Sequence, residues 1–296
     1  MSADPAPNIG DVALIFEGGG MRAALTSAVV IALLDAGLYF PWVAGISAGA
    51  SNTVNYVSRD RWRARASFTS FVADPQFGNL GTWMRGKGLF NADYIYRQTA
   101  GPDQALPFNF PAFHANPAEI AIQALRCSDA ATITWHKADV TSPDALMARV
   151  QASSTMPVIM PPVDVDGDLY VDGALGPTGG IALDAARAAG FSRFVVVLTQ
   201  ERDYVKKPLP LAGCYRRYFR RFPAVAEALL TRHDRYNATR AELFDLAADG
   251  DAYLFIPDRM PVGNGERDLE RLVAAHHRGV EQATREIGAI RSFVGH

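Results

Sequence analysis

A chain of 296 residues with 49% hydrophobic and 20% charged side chains suits one large α/β domain or two small ones. Its formal net charge of -2 implies no strong polyelectrolyte partner and gives nucleic-acid binding no support. With only Cys127 and Cys214, a disulfide framework is not expected, and a reducing cytoplasm is the simplest compartment.

The first ten residues are polar and Pro-rich and lack the charged start and apolar run of a secretory signal. No uncharged apolar stretch reaches the roughly 18 residues of a spanning helix. The expectation is a soluble cytoplasmic protein, with peripheral contact at a membrane surface left open. Asp11 to Phe16 is short, continuous and apolar, the pattern of a buried strand. Glu17-Gly-Gly-Gly20 ends it, and Met21 to Gly37 follows as a helix with apolar positions at helical spacing. Leu38 to Ile46 returns as a strand that ends at Ser47, which completes a right-handed βαβ unit. Residues 57 to 118 read as short helices and loops, the form taken by lids and binding loops. Ala118 to Leu125 fits a strand, although its alanines also suit a helix; Ala131 to His136 reads as a strand beside it. Ser142 is the N-cap of a helix reaching Ala152, with Pro143 at its first position. Asp166-Gly167, between two alternating runs, marks a hairpin whose second strand delivers Asp172 into Gly173-Ala174. A helix from Ile181 to Gly190, a buried strand from Phe194 to Thr199, and a basic aromatic stretch from Lys206 to Tyr236 come next. The chain closes with a helix from Arg240 to Asp249, a strand from Ala252 to Ile256, and a long amphipathic helix from Leu269 to Phe293. Alternating strands and helices predict a three-layer α/β/α domain with a mainly parallel central sheet.

Three groups of residues carry chemistry. Gly45-Ile46-Ser47-Ala48-Gly49 has the form Gly-x-Ser-x-Gly, with an apolar lead-in and a small-residue helix leading out. That is the strand, turn and helix context of a nucleophile elbow. Gly45 and Gly49 leave room for a strained turn, and the helix start favours an anion at Ser47. Glu17-Gly18-Gly19-Gly20-Met21-Arg22 lies at the end of the first strand, where backbone N–H groups can cradle an oxyanion. Gly18 to Ala23 also matches the dinucleotide fingerprint in form. That fingerprint needs an acidic residue about 20 positions on, whereas the second strand here runs into Ser47. The third group is Asp172-Gly173-Ala174. A serine needs a base to become a nucleophile. Asp172 is one candidate; His114 and His136 are others, and none of the six histidines can be placed beside Ser47 from sequence.

Taken as a set, these motifs resemble the patatin-like phospholipases, whose pattern is a glycine-rich oxyanion loop, a Gly-x-Ser-x-Gly elbow and a downstream Asp-Gly-Gly/Ala. The resemblance covers about residues 10 to 200. It implies a patatin-like core over residues 1–200 and a C-terminal extension, residues 201–296, packed on the same domain. It implies a Ser47–Asp172 dyad without histidine, an oxyanion hole drawn from Gly18, Gly19, Gly20 and Met21, and supporting roles for Arg22, Gly45, Gly49 and Gly173. Two departures stand out: Glu17 replaces the usual Asp, and Ala23 replaces the usual Gly, which leaves the detailed loop geometry open. The implied activity is hydrolysis of a lipid or small ester with no metal or cofactor. A non-catalytic lipid-binding or regulatory protein on the same scaffold is the alternative. Asp164, Asp166 and Asp168 have the spacing of a calcium loop, but Leu169 and Leu175 occupy its glycine and glutamate positions, so the hairpin is preferred. Tyr215 to Phe222 offers arginines and aromatics to anionic head groups, or else is an ordinary helix start. Leu80 to Phe113, with Trp83, Phe90, Tyr94, Tyr96, Phe108, Phe110 and Phe113, is either an acyl pocket or a satellite core.

Overall fold

A computed structural model describes residues 6–78 and 90–296. Strands β1 (Val12–Phe16) and β2 (Trp42–Gly45) flank helix α1 (Ala23–Asp35), and α2 (Ala48–Val57) leaves directly from the elbow. A short 3-10 turn, Gly20–Arg22, precedes α1, so the helix starts later than the sequence pattern suggests. Short helices α3 (Arg61–Ala66), α4 (Ala92–Arg97) and α5 (Phe110–Ala115) follow. Then come β3 (Glu119–Arg126), β4 (Thr132–His136), α6 (Pro143–Ser153), β5 (Val163–Val165), β6 (Asp168–Asp172), α7 (Leu183–Ala188) and β7 (Arg193–Val197). Helices α8 (Ala212–Tyr218), α9 (Pro223–Leu230) and α10 (Arg232–Asp249), strand β8 (Ala252–Phe255) and helix α11 (Leu269–Val294) complete the chain.

The alanine-rich 118–125 stretch is a strand because tertiary pairing overrides its propensity: it lies against three other strands. The sheet order is β5-β6-β3-β2-β1-β7-β8, with β4 also paired to β3. Pairings β1–β2, β1–β7, β2–β3 and β7–β8 are parallel. Those of β3 with β4 and β6, and of β5 with β6, are antiparallel. The hairpin turns at Asp166 (φ 55°) and Gly167 (φ 91°), the left-handed pair that Asp-Gly favours.

The sheet is covered on both faces, which is why its central strands are continuously apolar. Along β1, Val12, Leu14 and Phe16 join one core with α1, α2, α6 and α11, whereas Ala13 and Ile15 join another with α7 and α10. Burying each such Leu, Val or Phe side chain contributes roughly 1.5–3 kcal/mol. Helix α1 has almost no polar face because α11 lies over it. The approach is close: a Cβ at Gly279 would overlap the Leu25 carbonyl. His276 is buried in that contact, with Nδ1 3.2 Å from Ser27 Oγ and 3.1 Å from the Ala24 carbonyl oxygen. Burial lowers its pKa to about 4, so it is neutral at physiological pH and serves packing. No helix among the described residues is long and apolar enough to cross a membrane.

Candidate active site

The chain reverses sharply between β2 and α2, and Ser47 sits at the reversal with φ 58° and ψ -126°. A non-glycine residue there carries strain of about 1–3 kcal/mol. The flanking glycines make the turn sterically feasible. A Cβ at Gly45 would overlap the Gly49 carbonyl, and one at Gly49 would overlap the Phe16 carbonyl. The buried Ser153 hydroxyl at the end of α6 accepts the Ser47 N–H at 2.9 Å and holds the turn from behind. Removing that acceptor would leave a buried donor unpaired, at a cost of about 1–3 kcal/mol.

Asp172 reaches Ser47 through the sheet. Strand β4 runs along one edge of β3 from Ala121 to Leu125. On the other edge β2 pairs with Glu119 to Ile122 and β6 with Ala124 to Arg126. Two strands of opposite direction therefore meet end to end near Gln123, with Gly45 opposite Ile122 and Asp172 opposite Ala124. Gly173 makes the junction possible, because a Cβ there would overlap the Gln123 carbonyl and lie 3.1 Å from Ile46 Cγ2. The Ser47 hydroxyl faces the Asp172 carboxylate closely enough to favour its charged form. Asp172 Oδ1 also accepts the Ala174 N–H at 2.9 Å. Burial raises the carboxyl's proton affinity above its ordinary value; Arg232, the Ala174 N–H and the Ser47 hydroxyl oppose this without cancelling it. A buried carboxylate of raised basicity facing a hydroxyl is suited to take its proton.

The glycine loop lies against the elbow, where a Cβ at Gly18 would come within 2.9 Å of the Ile46 carbonyl oxygen. Its donors are not all available. Gly18 N–H donates to Gly180 O at 3.0 Å, and Met21 N–H to Asn264 O at 3.0 Å. Among the described residues the N–H groups of Gly19, Gly20 and Ala48 have no protein acceptor. Glu17, buried at the loop's base, accepts from Tyr236 Oη at 2.7 Å and Thr199 N at 2.5 Å. Glutamate thus ties β1 to the ends of β7 and α10 and sets the height of the loop. Arg22 N–H closes the turn onto Gly19 O at 3.2 Å. Its side chain borders a separate opening of about 760 Å³ near the ends of β7 and β8, which touches neither Ser47 nor Asp172.

Two cavities flank the pair. On the Ser47 side lies a narrow apolar one of about 70 Å³, walled by Met21, Phe68, Phe71, Phe90 and Tyr96. On the Asp172 side lies one of about 320 Å³. Phe90 and Tyr96 therefore face the serine, whereas Tyr94 stacks on Phe71, and Phe108 and Phe110 pack around the buried Phe113. Leu80 and Trp83 lie outside the described residues. His114 stacks on Phe110, and His136 is exposed at the end of β4. His233 borders the larger cavity, but its Nδ1 is 3.0 Å from the Leu230 carbonyl oxygen and its Nε2 3.3 Å from Asp234.

The model of the patatin-like phospholipases matches residues 14–182. The chain belongs to the patatin-like phospholipase family. A domain of unknown function, DUF6363, matches residues 222–295 of this patatin-like protein. Among solved structures, VipD from Legionella pneumophila shares the fold with a TM-score of 0.51 at 11% identity, over 94% of this chain and 67% of that one. A search of curated proteins finds no match.

Sequence reading singled out Ser47, Asp172 and the glycine loop, and the fold brings all three together. It did not single out Ser153, Asn264 or Ala48. Only Ala48 carried a signal: the residue after an elbow serine opens the helix and has a free N–H. Ser153 and Asn264 come from distant segments whose own sequences say nothing of the elbow.

Proposed function

We propose that this patatin-like chain is a serine lipid acyl hydrolase of the phospholipase A, lysophospholipase or esterase type. The observation that carries the reading is the Ser47 hydroxyl beside the buried Asp172, with uncommitted N–H groups around it. Asp172 takes the hydroxyl proton as Ser47 attacks an ester carbonyl. Gly19, Gly20 and Ala48 donate to the tetrahedral oxyanion, each such donor being worth roughly 3 kcal/mol in the transition state. Asp172 then protonates the leaving alcohol, and an acyl-serine remains. Water activated by Asp172 releases the acid. Gly18 and Met21 support the loop in this scheme, since their N–H groups are already engaged. The apolar cavity beside Ser47 receives the start of the acyl chain.

A fluorophosphonate probe tests the reading without knowledge of the substrate. The expected result is one adduct, located on Ser47 by peptide mass analysis. An unlabelled Ser47 in the folded protein would sink the hydrolase and favour a non-catalytic lipid-binding scaffold.

Membrane contact belongs to the same proposal. Leu211 (75% exposed) and Tyr218 (57% exposed) project beside exposed Arg217, Arg220 and Arg221. Aromatic and basic side chains together suit an anionic lipid surface. Sedimentation should show the protein on vesicles containing phosphatidylglycerol and not on pure phosphatidylcholine; equal partition would remove this part.

A further inference from the structure

The cavity on the Asp172 side is cationic, and the cations come from outside the family match. Lys206, Lys207 and Arg232 border its space of about 320 Å³, the lower end of ligand-pocket sizes. Among the described residues none of the three is paired with a carboxylate, and none of their terminal nitrogens has a protein acceptor. The fold nevertheless holds two of them firmly. Arg232, the first residue of α10, donates from Nε to the Gly179 carbonyl at 2.9 Å. Lys206 is clamped through its backbone: its N–H donates to Asn237 Oδ1 at 2.9 Å, and its carbonyl accepts from Asn237 Nδ2 at 3.0 Å. Its ammonium lies 4.9 Å from the Tyr236 ring centre. Burial, then the charges of Arg232 and Arg22, lower the Lys206 pKa to about 8. Like charges are thus kept together in a half-buried space. The nearby Glu17 does not neutralise them by contact, because its oxygens are bonded to Tyr236 and Thr199.

The chemistry fixes which half of an ester faces this cavity. In the proposed mechanism Asp172 gives its proton to the leaving oxygen, so the alcohol half lies on the Asp172 side and the acyl half in the apolar cavity on the Ser47 side. We infer that Lys206, Lys207 and Arg232 form a subsite for a phosphate group carried on the alcohol half of the ester, and that the segment after the family match sets substrate specificity through it. This rests on the hydrolase reading for the assignment of the two halves. Arginine matches phosphate with a planar fork and lysine with a point charge. Within the cavity the three cations attract such a phosphate, whereas the Asp172 carboxylate repels it.

The test uses the full chain and two esters with one acyl chain, a 1-acylglycerol and its 3-phosphate. Wild-type protein should favour the phosphorylated ester by about tenfold or more in kcat/KM, the size expected of charge-assisted hydrogen bonds. Lys206→Gln combined with Arg232→Gln should bring that ratio close to one, acting through KM for the phosphorylated ester. A wild-type ratio near one, or a ratio the double variant keeps, overturns the subsite. If neither ester is cleaved, the fluorophosphonate probe judges the hydrolase reading, and binding is read separately by titrating Ser47→Ala with glycerol 3-phosphate. Heat of binding that disappears on adding Lys206→Gln supports the subsite without turnover; no binding, or binding that this change leaves intact, overturns it. Inorganic phosphate bound as tightly as glycerol 3-phosphate, with no discrimination between the esters, would make this a free-anion site and overturn the assignment to substrate.

Discussion

On the proposed hydrolase mechanism, replacing Ser47 with alanine should lower turnover of a short-chain chromogenic ester by ~10⁴-fold or more, while the fold persists. Alanine keeps a Cβ in the same strained backbone position (φ 58°, ψ -126°) and leaves the Ser153 contact to the Ser47 N–H in place. What it removes is the attacking oxygen and a polar neighbour of Asp172. Loss of one polar contact costs at most about 1 kcal/mol, so thermal melting should move by only a few degrees. Turnover unchanged within error would mean that the reaction does not pass through this elbow.

The second large effect separates function from stability. Asp172→Asn should reduce turnover by about 10³–10⁴-fold, the range of a positioned general base and acid, yet make the protein no less stable at neutral pH. The sign follows from linkage. Burial holds the folded carboxyl's pKa above its ordinary value of 3.8. As pH rises past that value, the unfolded chain releases its proton first. Ionisation therefore favours the unfolded state, and Asp172 withdraws stability from there up to its folded pKa and beyond. Asparagine keeps an oxygen for the Ala174 N–H and escapes that cost. Melting temperatures should show the variant equal to or above wild type at pH 7, with the gap closing in acid. Wild-type turnover should in turn rise with pH along a limb whose midpoint lies above 3.8. Retained turnover in Asp172→Asn would point to another base, and His233, on the wall of the same cavity, would be the first to examine.

The local features were legible because their causes are local. Gly45 and Gly49 are glycines because no Cβ fits there, and that requirement leaves a mark in five consecutive letters. Asp166-Gly167 declares its hairpin in the same way. Sequence was weaker where packing decides. Helix α10 starts at Arg232, whereas the pattern suggested Arg240. Its first turns carry one buried aromatic, Tyr236, in an otherwise polar stretch and are pinned by Arg232 to Gly179 and by Arg235 to Gly176, contacts made across more than 50 positions of chain. Alanine-rich β3 was ambiguous alone and became a strand because three partners supply its hydrogen bonds. The predicted helix at 181–190 shortens to Leu183–Ala188.

By itself, then, the amino-acid sequence determined an α/β chain with a serine elbow, a glycine loop before it and an aspartate after it, since each depends on steric rules spanning a few residues. Tertiary structure alone decided that β2 and β6 meet on one edge of β3, and so that Asp172 is brought to Ser47. It also decided which loop donors stay free, because Gly180 and Asn264 claim Gly18 and Met21 from far along the chain. Strand register and long-range hydrogen bonds are properties of the assembled sheet, and no local pattern encodes them.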